Sequence, residues 1–256
     1  MKIGMPTLIE LPSILDNLEL CYEIGCDFLE VNLSFPFEFD EAIINEINQV
    51  KDKYGIELTF HFPENIDFAH NNEILRKSFL DYFDYVLELS KKLGIKLINM
   101  HLEPGIHINL PTKKVRIYEE YNDMYIRNID SSLKYMLEKC NINNIRLCVE
   151  NTKMFPYMLD TVLRFNNCGG FLTLDVGHDS SAKDMFREFI DSNNLNVLHM
   201  HLHDEKNGKN HLELYSGSLD IDELINYAKN NDLSVVVEVK TVDSLTRSIS
   251  KIKKRI

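Results

Sequence analysis

KLGIKLINMH, residues Lys92 to His101, reads in three steps: the end of an amphipathic stretch, a glycine, and a short apolar run closed by a histidine. A glycine just past a helical stretch is the usual C-cap, because it accepts the left-handed backbone that ends a helix. The run that follows has strand length. EIGCDFLEVN (Glu23 to Asn32) and KYGIELTFH (Lys53 to His61) repeat this order, and both also end in a polar residue. Helix, short loop and buried strand in succession is the grammar of a parallel sheet with helical crossovers.

Working outward, strands are expected at Ile3 to Leu8, Phe28 to Asn32, Glu57 to His61, Leu97 to His101, Arg146 to Glu150, Phe171 to Asp175, Val197 to His203 and Ser234 to Glu238. The segments between them carry helical periodicity, as in Ile43, Ile44, Ile47 and Val50, or Phe79, Phe83, Val86, Leu87 and Leu93. Eight βα units in 256 residues, with no Gly/Ser/Pro-rich linker, favour one α/β domain over residues 1–256, a single (β/α)8 TIM barrel rather than an open doubly wound sheet. The irregular stretches Phe62 to Asn71, Leu102 to Val115 and Asp204 to Ser218 all follow strands, so they would line the barrel mouth where active sites sit.

Composition sets the outer bounds. With 44% hydrophobic and 27% charged residues the chain can fill one large core, which excludes a disordered protein. The net charge of -12 repels phosphate backbones and acidic membrane surfaces, a weak vote against nucleic acid because a metal cluster can reverse the field inside one cleft. No apolar run approaches the length of a membrane span, and the N-terminus has no signal-peptide pattern. Cys21, Cys26, Cys140, Cys148 and Cys168 are odd in number and lack CxxC spacing, so they read as buried thiols of a cytoplasmic protein.

The polar residues are not scattered. Seven of the nine histidines (His61, His101, His178, His199, His201, His203 and His211) lie at strand ends or just beyond, together with Glu30, Glu150, Asp175 and Glu238. Carboxylates and imidazoles gathered at one mouth bury charge at a cost of several kcal/mol unless a cation shares the site. A divalent metal answers that cost, and an imidazole–carboxylate set suits zinc, manganese, iron or cobalt. Alternation along LCVEN, LTLDVGH, HMHLHD and VVVEVK puts Glu150, Asp175, His201 and Glu238 on the inward face at one level. His199 then lies one layer deeper and reads as a hydrogen-bonded core histidine. His203 reads equally as loop residue or ligand, Glu30 equally as solvated strand end or site residue, and Asp204 as turn chemistry. His70 and His107 read as surface residues. Lys91 with Lys92, and Lys251 to Arg255, read as solvated helix faces.

At these residues the sequence resembles the xylose-isomerase-like TIM-barrel superfamily, which holds sugar isomerases, ketose 3-epimerases, hydroxypyruvate isomerases and endonuclease-IV-type abasic-site nucleases. The motifs are VENT at Val149 to Thr152, LDVGH at Leu174 to His178, HLHD at His201 to Asp204, His211 ahead of LYSGSLD at Leu214 to Asp220, and VEV at Val237 to Val239. The resemblance implies metal ligands at Glu150, Asp175, His201 and Glu238, the four that alternation selects, and a substrate contact at His178. The epimerase branch would place an arginine where Asn207 stands, leaving Lys206 or Lys209 as substitutes. The nuclease branch would add His61, His101, His178 and His211 as ligands of a second or third metal. Lys209 replaces one aspartate of that set, so one or two ions (zinc, manganese or cobalt) are expected rather than three.

The leading expectation is therefore an enzyme: a metal-dependent isomerase or epimerase that moves a proton through an enediolate on a small sugar, sugar phosphate or hydroxy-carbonyl compound. Glu150 and Glu238 would be the catalytic carboxylates. The alternative is a metal-dependent phosphodiesterase of the abasic-site type, acting on DNA. A third is a barrel that has lost catalysis and binds a ligand. The expected partner is a carbohydrate-like small molecule and not a membrane. Oligomeric state is not legible.

Overall fold

The computed structural model describes residues 1–181 and 185–255. Strand β1 (Lys2–Pro6) leads through α1 (Ile14–Glu23) to β2 (Phe28–Asn32), then α2 (Glu41–Tyr54) to β3 (Glu57–His61), and α3 (Glu73–Leu93) to β4 (Leu97–His101). A hairpin, β5 (His107–Asn109) with β6 (Lys114–Arg116), precedes the short α4 (Ile117–Glu120) and the long α5 (Asn122–Ile142). Next come β7 (Arg146–Glu150), α6 (Pro156–Asn167), β8 (Phe171–Asp175), α7 (Val176–Ser181) and α8 (Met185–Asn193). The chain closes through β9 (Val197–Leu202), a second hairpin β10 (Asp204–Lys206) with β11 (Lys209–Leu212), α9 (Ile221–Asn230), β12 (Ser234–Val237) and α10 (Val242–Lys253).

Eight strands form the closed barrel in the order β1-β12-β9-β8-β7-β4-β3-β2, all parallel, so the expected (β/α)8 architecture holds. Three strand bounds shift: the first strand stops at Pro6, β9 at Leu202 and β12 at Val237, leaving His203 and Glu238 in the loops just beyond. Two of the stretches expected to be irregular, after β4 and after β9, instead carry the hairpins.

Local chemistry explains the boundaries. Ser13 and Asp16 form a reciprocal capping box at the start of α1, and Asp40 and Asn72 accept from the first turns of α2 and α3. Gly94 ends α3 at φ 71°, the left-handed conformation that its place in KLGIKL requires.

The odd and even residues of each strand part ways. Leu29 and Val31 of β2, Leu58 and Phe60 of β3, and Ile98 and Met100 of β4 are buried in the shell of core residues between barrel and helices. The alternate residues Glu30, Asn99, Thr173 and His199 hydrogen-bond to strands that are not their neighbours in the sheet, which is only achieved across the barrel interior. The barrel thus carries a polar interior toward its C-terminal end. Among the described residues no helix is long and apolar enough to cross a membrane. Cys168, expected to be buried, is exposed just past α6, while the other four cysteines are buried as expected.

Candidate active site

Parallel strands deliver all their C-terminal ends to one mouth, and here those ends carry the charge. His201, at the end of β9 and fully buried, is the centre of the cluster. Its Nδ1 lies 3.3 Å from Glu150 Oε1 and 3.5 Å from Glu238 Oε2, and its Nε2 lies 2.9 Å from Glu30 Oε1. Donor atoms of Asp175, His201 and Glu238 all fall within 4.8 Å of one another. The structure therefore brings together the four residues that the sequence selects, Glu150, Asp175, His201 and Glu238.

Each of them is held by a second layer. Glu150 Oε2 accepts from Asn99 Nδ2 at 2.5 Å, and Asn99 Oδ1 in turn accepts from the Thr173 hydroxyl at 2.7 Å. The same Glu150 oxygen faces His61 Nε2 at 3.4 Å and His101 Nε2 at 3.2 Å. Asp175 is clamped at its backbone by both ends of the Asn151 amide, and its carboxylate accepts from the His178 backbone N–H at 2.7 Å. His203 Nε2 stands 3.2 Å from Asp175, and its Nδ1 lies 3.0 Å from the His211 backbone nitrogen and 3.2 Å from the Asp204 carbonyl. His203 has this position because Gly177 leaves room: a Cβ there would lie 2.1 Å from the imidazole Cε1. Glu238 pairs with Lys240 Nζ at 2.6 Å through Oε1 and faces His211 Nδ1 at 3.5 Å through Oε2.

Electrostatics follow from burial against these contacts. Burial alone would raise the Glu150 pKa, but His201 and His101 beside it hold it well below the usual carboxylate range. Glu238 is pushed up by burial and more strongly down by His201 and Lys240. Burial opposes charge on His201, yet Glu150, Glu30 and Glu238 raise its pKa well above the ordinary 6.5. Three buried carboxylates thus compete for one imidazole. Both His201 ring nitrogens and His101 Nε2 are buried without a hydrogen bond of good geometry. Orphaned imidazole nitrogens facing carboxylates are a nitrogen–oxygen donor set that fits a divalent ion.

His178 and His211, the other residues singled out in the sequence, line the same cleft, a cavity of about 360 Å³. Lys206 and Lys209 do not: they flank the Asn207–Gly208 turn of the β10–β11 hairpin, and among the described residues the lysines lining the cleft are Lys153 and Lys240. Lys240 is two residues past Glu238 and so on its face, a signal present in VVVEVK. Glu103, also in the cleft, has its pKa raised by burial and by nearby Asp67. His199 and Glu30 are buried and bonded to each other at 3.0 Å, and Asp204 organises its loop by accepting from Gly217 and Leu219. His107 is exposed, whereas His70 is half-buried.

The xylose isomerase-like TIM barrel family model matches residues 18–254. An uncharacterised protein of Methanocaldococcus jannaschii is 26% identical over 271 residues, which span 97% of this chain and 94% of that one. Among solved structures, a D-tagatose 3-epimerase-like protein superposes with a TM-score of 0.81 at 21% identity, over 99% of this chain and 96% of its own. D-psicose 3-epimerase from Clostridium cellulolyticum H10, solved with D-tagatose, gives 0.78 at 17% identity, covering 99% and 98%. The IOLI protein, solved with a bound zinc atom, gives 0.73 at 16% identity, covering 100% and 97%. At these identities the structural likeness speaks for the fold.

Proposed function

The chain belongs to the xylose isomerase-like TIM-barrel family, and on that premise we propose that it is a metal-dependent isomerase or epimerase acting on a small sugar, sugar phosphate or hydroxy-carbonyl compound. The observation that carries this reading is the orphaned Nδ1 of His201, buried and facing Glu150 and Glu238 with Asp175 alongside. Glu150, Asp175, His201 and Glu238 would hold one divalent ion, zinc, manganese or cobalt. When bound, such an ion supplies Lewis-acid stabilisation to the oxyanion that develops as a proton leaves the carbon beside a carbonyl.

The remaining work falls to the protein. Glu150 and Glu238 approach His201 Nδ1 at 3.3 and 3.5 Å, so the two carboxylates flank whatever is held there. One accepts the proton from the substrate carbon and the other returns one, which is the arrangement that isomerisation and epimerisation need. Asn99 fixes the Glu150 carboxylate through Oε2 and leaves Oε1 toward the centre. His178 and His211 orient substrate hydroxyls from the rim, and Lys240 adds a cation at the same level. Five free thiols, four of them buried, support a reducing, cytoplasmic setting.

The test is proton exchange. D-psicose and D-tagatose, the sugars named for the relatives, are incubated with metal-loaded protein in deuterated water and followed by NMR. Deuterium entering beside the carbonyl, lost in Glu150→Gln, is the expected result. No exchange in a panel of ketoses, ketose phosphates and hydroxy-carbonyl acids would overturn the assignment. A second reading has its own observation: His61 and His101 both face Glu150 Oε2, where a second ion would be held. Two ions would suit a phosphodiesterase. Chelator-sensitive nicking of a duplex with an abasic site would favour it.

A further inference from the structure

A chain of polar side chains runs from half-buried Ser234 at the N-terminal end of the barrel, through buried His199 and Glu30, to the candidate metal position, and the reaction scheme does not use it. Ser234, at the start of β12, has its Oγ 2.6 Å from His199 Nδ1. His199 Nε2 is 3.0 Å from Glu30 Oε2, and Glu30 Oε1 is 2.9 Å from His201 Nε2. Glu30, His199 and His201 are each at most 2% exposed. Three separate regions of sequence meet here, since β2, β9 and β12 contribute one or two residues each.

Proton bookkeeping gives this chain a direction. The Ser234 hydroxyl stands 2.6 Å from His199 Nδ1 and 3.3 Å from the Leu198 carbonyl, to which it donates. An ionised carboxylate only accepts, so His199 carries a proton on Nε2 and donates it to Glu30 Oε2. The two imidazoles meet different oxygens of Glu30, so both can donate to an ionised carboxylate, whereas an amide there would accept at one end only. His201 Nε2 faces Oε1 at 2.9 Å, so in the neutral ring a proton held on Nε2 leaves the lone pair on Nδ1, the nitrogen that faces Glu150 and Glu238.

We infer that Glu30 is a positioning residue for the metal site: it fixes the tautomer and orientation of His201 and raises the basicity of Nδ1, and His199 and Ser234 fix Glu30. The inference rests on the reading of His201 as a metal ligand. Glu30 would not touch the ion or the substrate. A carboxylate behind a ligating histidine is a general means of tuning metal affinity, and its loss costs about 10- to 100-fold.

The experiment measures cobalt(II) affinity of the purified full chain by competition with a chromophoric chelator, together with the visible absorption of the bound cobalt and the thermal unfolding of the metal-free protein. Glu30→Gln keeps the shape and removes the charge. The expected result is cobalt binding weakened by about 10- to 100-fold and an altered cobalt absorption band, with the metal-free unfolding temperature close to that of the unmodified chain. Ser234→Ala, at the half-buried far end of the chain, removes one hydrogen bond and should weaken cobalt binding by roughly two- to tenfold. It serves as the test where Glu30→Gln does not fold. Unmodified chain and both variants binding cobalt alike would overturn the role of Glu30 and leave the metal site standing. An unmodified chain that binds no cobalt, zinc or manganese would overturn the metal reading and this inference with it.

Discussion

At the N-terminal end of the barrel, Lys2 meets Glu57 at 2.6 Å with both side chains more than half exposed, and the terminal ammonium of Met1 meets Asp232 at 2.8 Å. At the C-terminal end, Glu150 has its side chain 3% exposed and faces three imidazoles between 3.2 and 3.4 Å. The hollow at the first end is the larger, about 950 Å³ against about 360 Å³ for the cleft. Size does not identify the site; the state of the charges does. Solvated pairs at the strand starts already have their partners and contribute little. Buried carboxylates at the strand ends crowd one another and a set of imidazoles, with Lys240 paired to Glu238 alone, an arrangement that holds together best around a cation.

The largest expected effect breaks that asymmetry at its centre. Glu150→Gln should lower proton exchange by about 10³-fold, within the range of a lost acid–base group, while Lys2→Ala at the other end leaves exchange unchanged. Equal losses in the two variants, measured by NMR at saturating metal, would mean that the two ends do not differ in function.

Removing metal comes next. An ion bound only to the folded state at about a hundred times its dissociation constant adds about 2.7 kcal/mol, so chelator should lower the urea midpoint by a corresponding amount. The pH dependence should then reverse. In the metal-free protein the raised His201 pKa contributes stability that is fully present below 6.5 and lost as pH rises through the folded value. In the loaded protein the proton competes with the ion for Nδ1, so the ion's contribution grows with pH. Urea unfolding at about pH 6.5, 7.5 and 8.5, with and without chelator, separates the two trends.

Gly177→Ala sharpens the comparison within the C-terminal end. Its Cβ would fall 2.1 Å from His203, so the ring must leave Asp175, at a cost of about 1–3 kcal/mol for overpacking. Urea unfolding measures the loss, and a midpoint equal to that of the unmodified chain would show that His203 moves aside freely.

How much of this was legible depended on period. In LTLDVGH and HMHLHD the alternation assigns faces, and parallel pairing puts like ends together, so Asp175 and His201 could be placed without coordinates. Alternation says nothing about who stands across the barrel. Glu30 and His199 meet because β2 and β9 are brought opposite by closure through β1 and β12, a long-range fact absent from either strand. His203 lies past its strand, and its burial is set by the small residue at 177. The error over Lys206 and Lys209 had a local signal: Asn207–Gly208, at φ 55° and 77°, is a two-residue hairpin turn, and the NG dipeptide between EK and KN announces it. Cys168 follows α6 with two glycines after it, a helix end facing solvent and not a core position.

The smallest expected effect belongs to the charges that look best paired. Lys2 and Glu57 approach at 2.6 Å, closer than any imidazole approaches a carboxylate at the other end. Distance is a poor guide to energy here, because both side chains are solvated, and holding them together costs rotamer freedom that the attraction barely offsets. Lys2→Ala should cost between about 0 and 1 kcal/mol, and less still in about 1 M salt, where screening acts over about 3 Å. A double-mutant cycle with Glu57→Ala, read by urea unfolding at low and high salt, isolates the pair. A coupling above about 2 kcal/mol that survives high salt would show that the N-terminal end stores energy in its ion pairs as a buried site does.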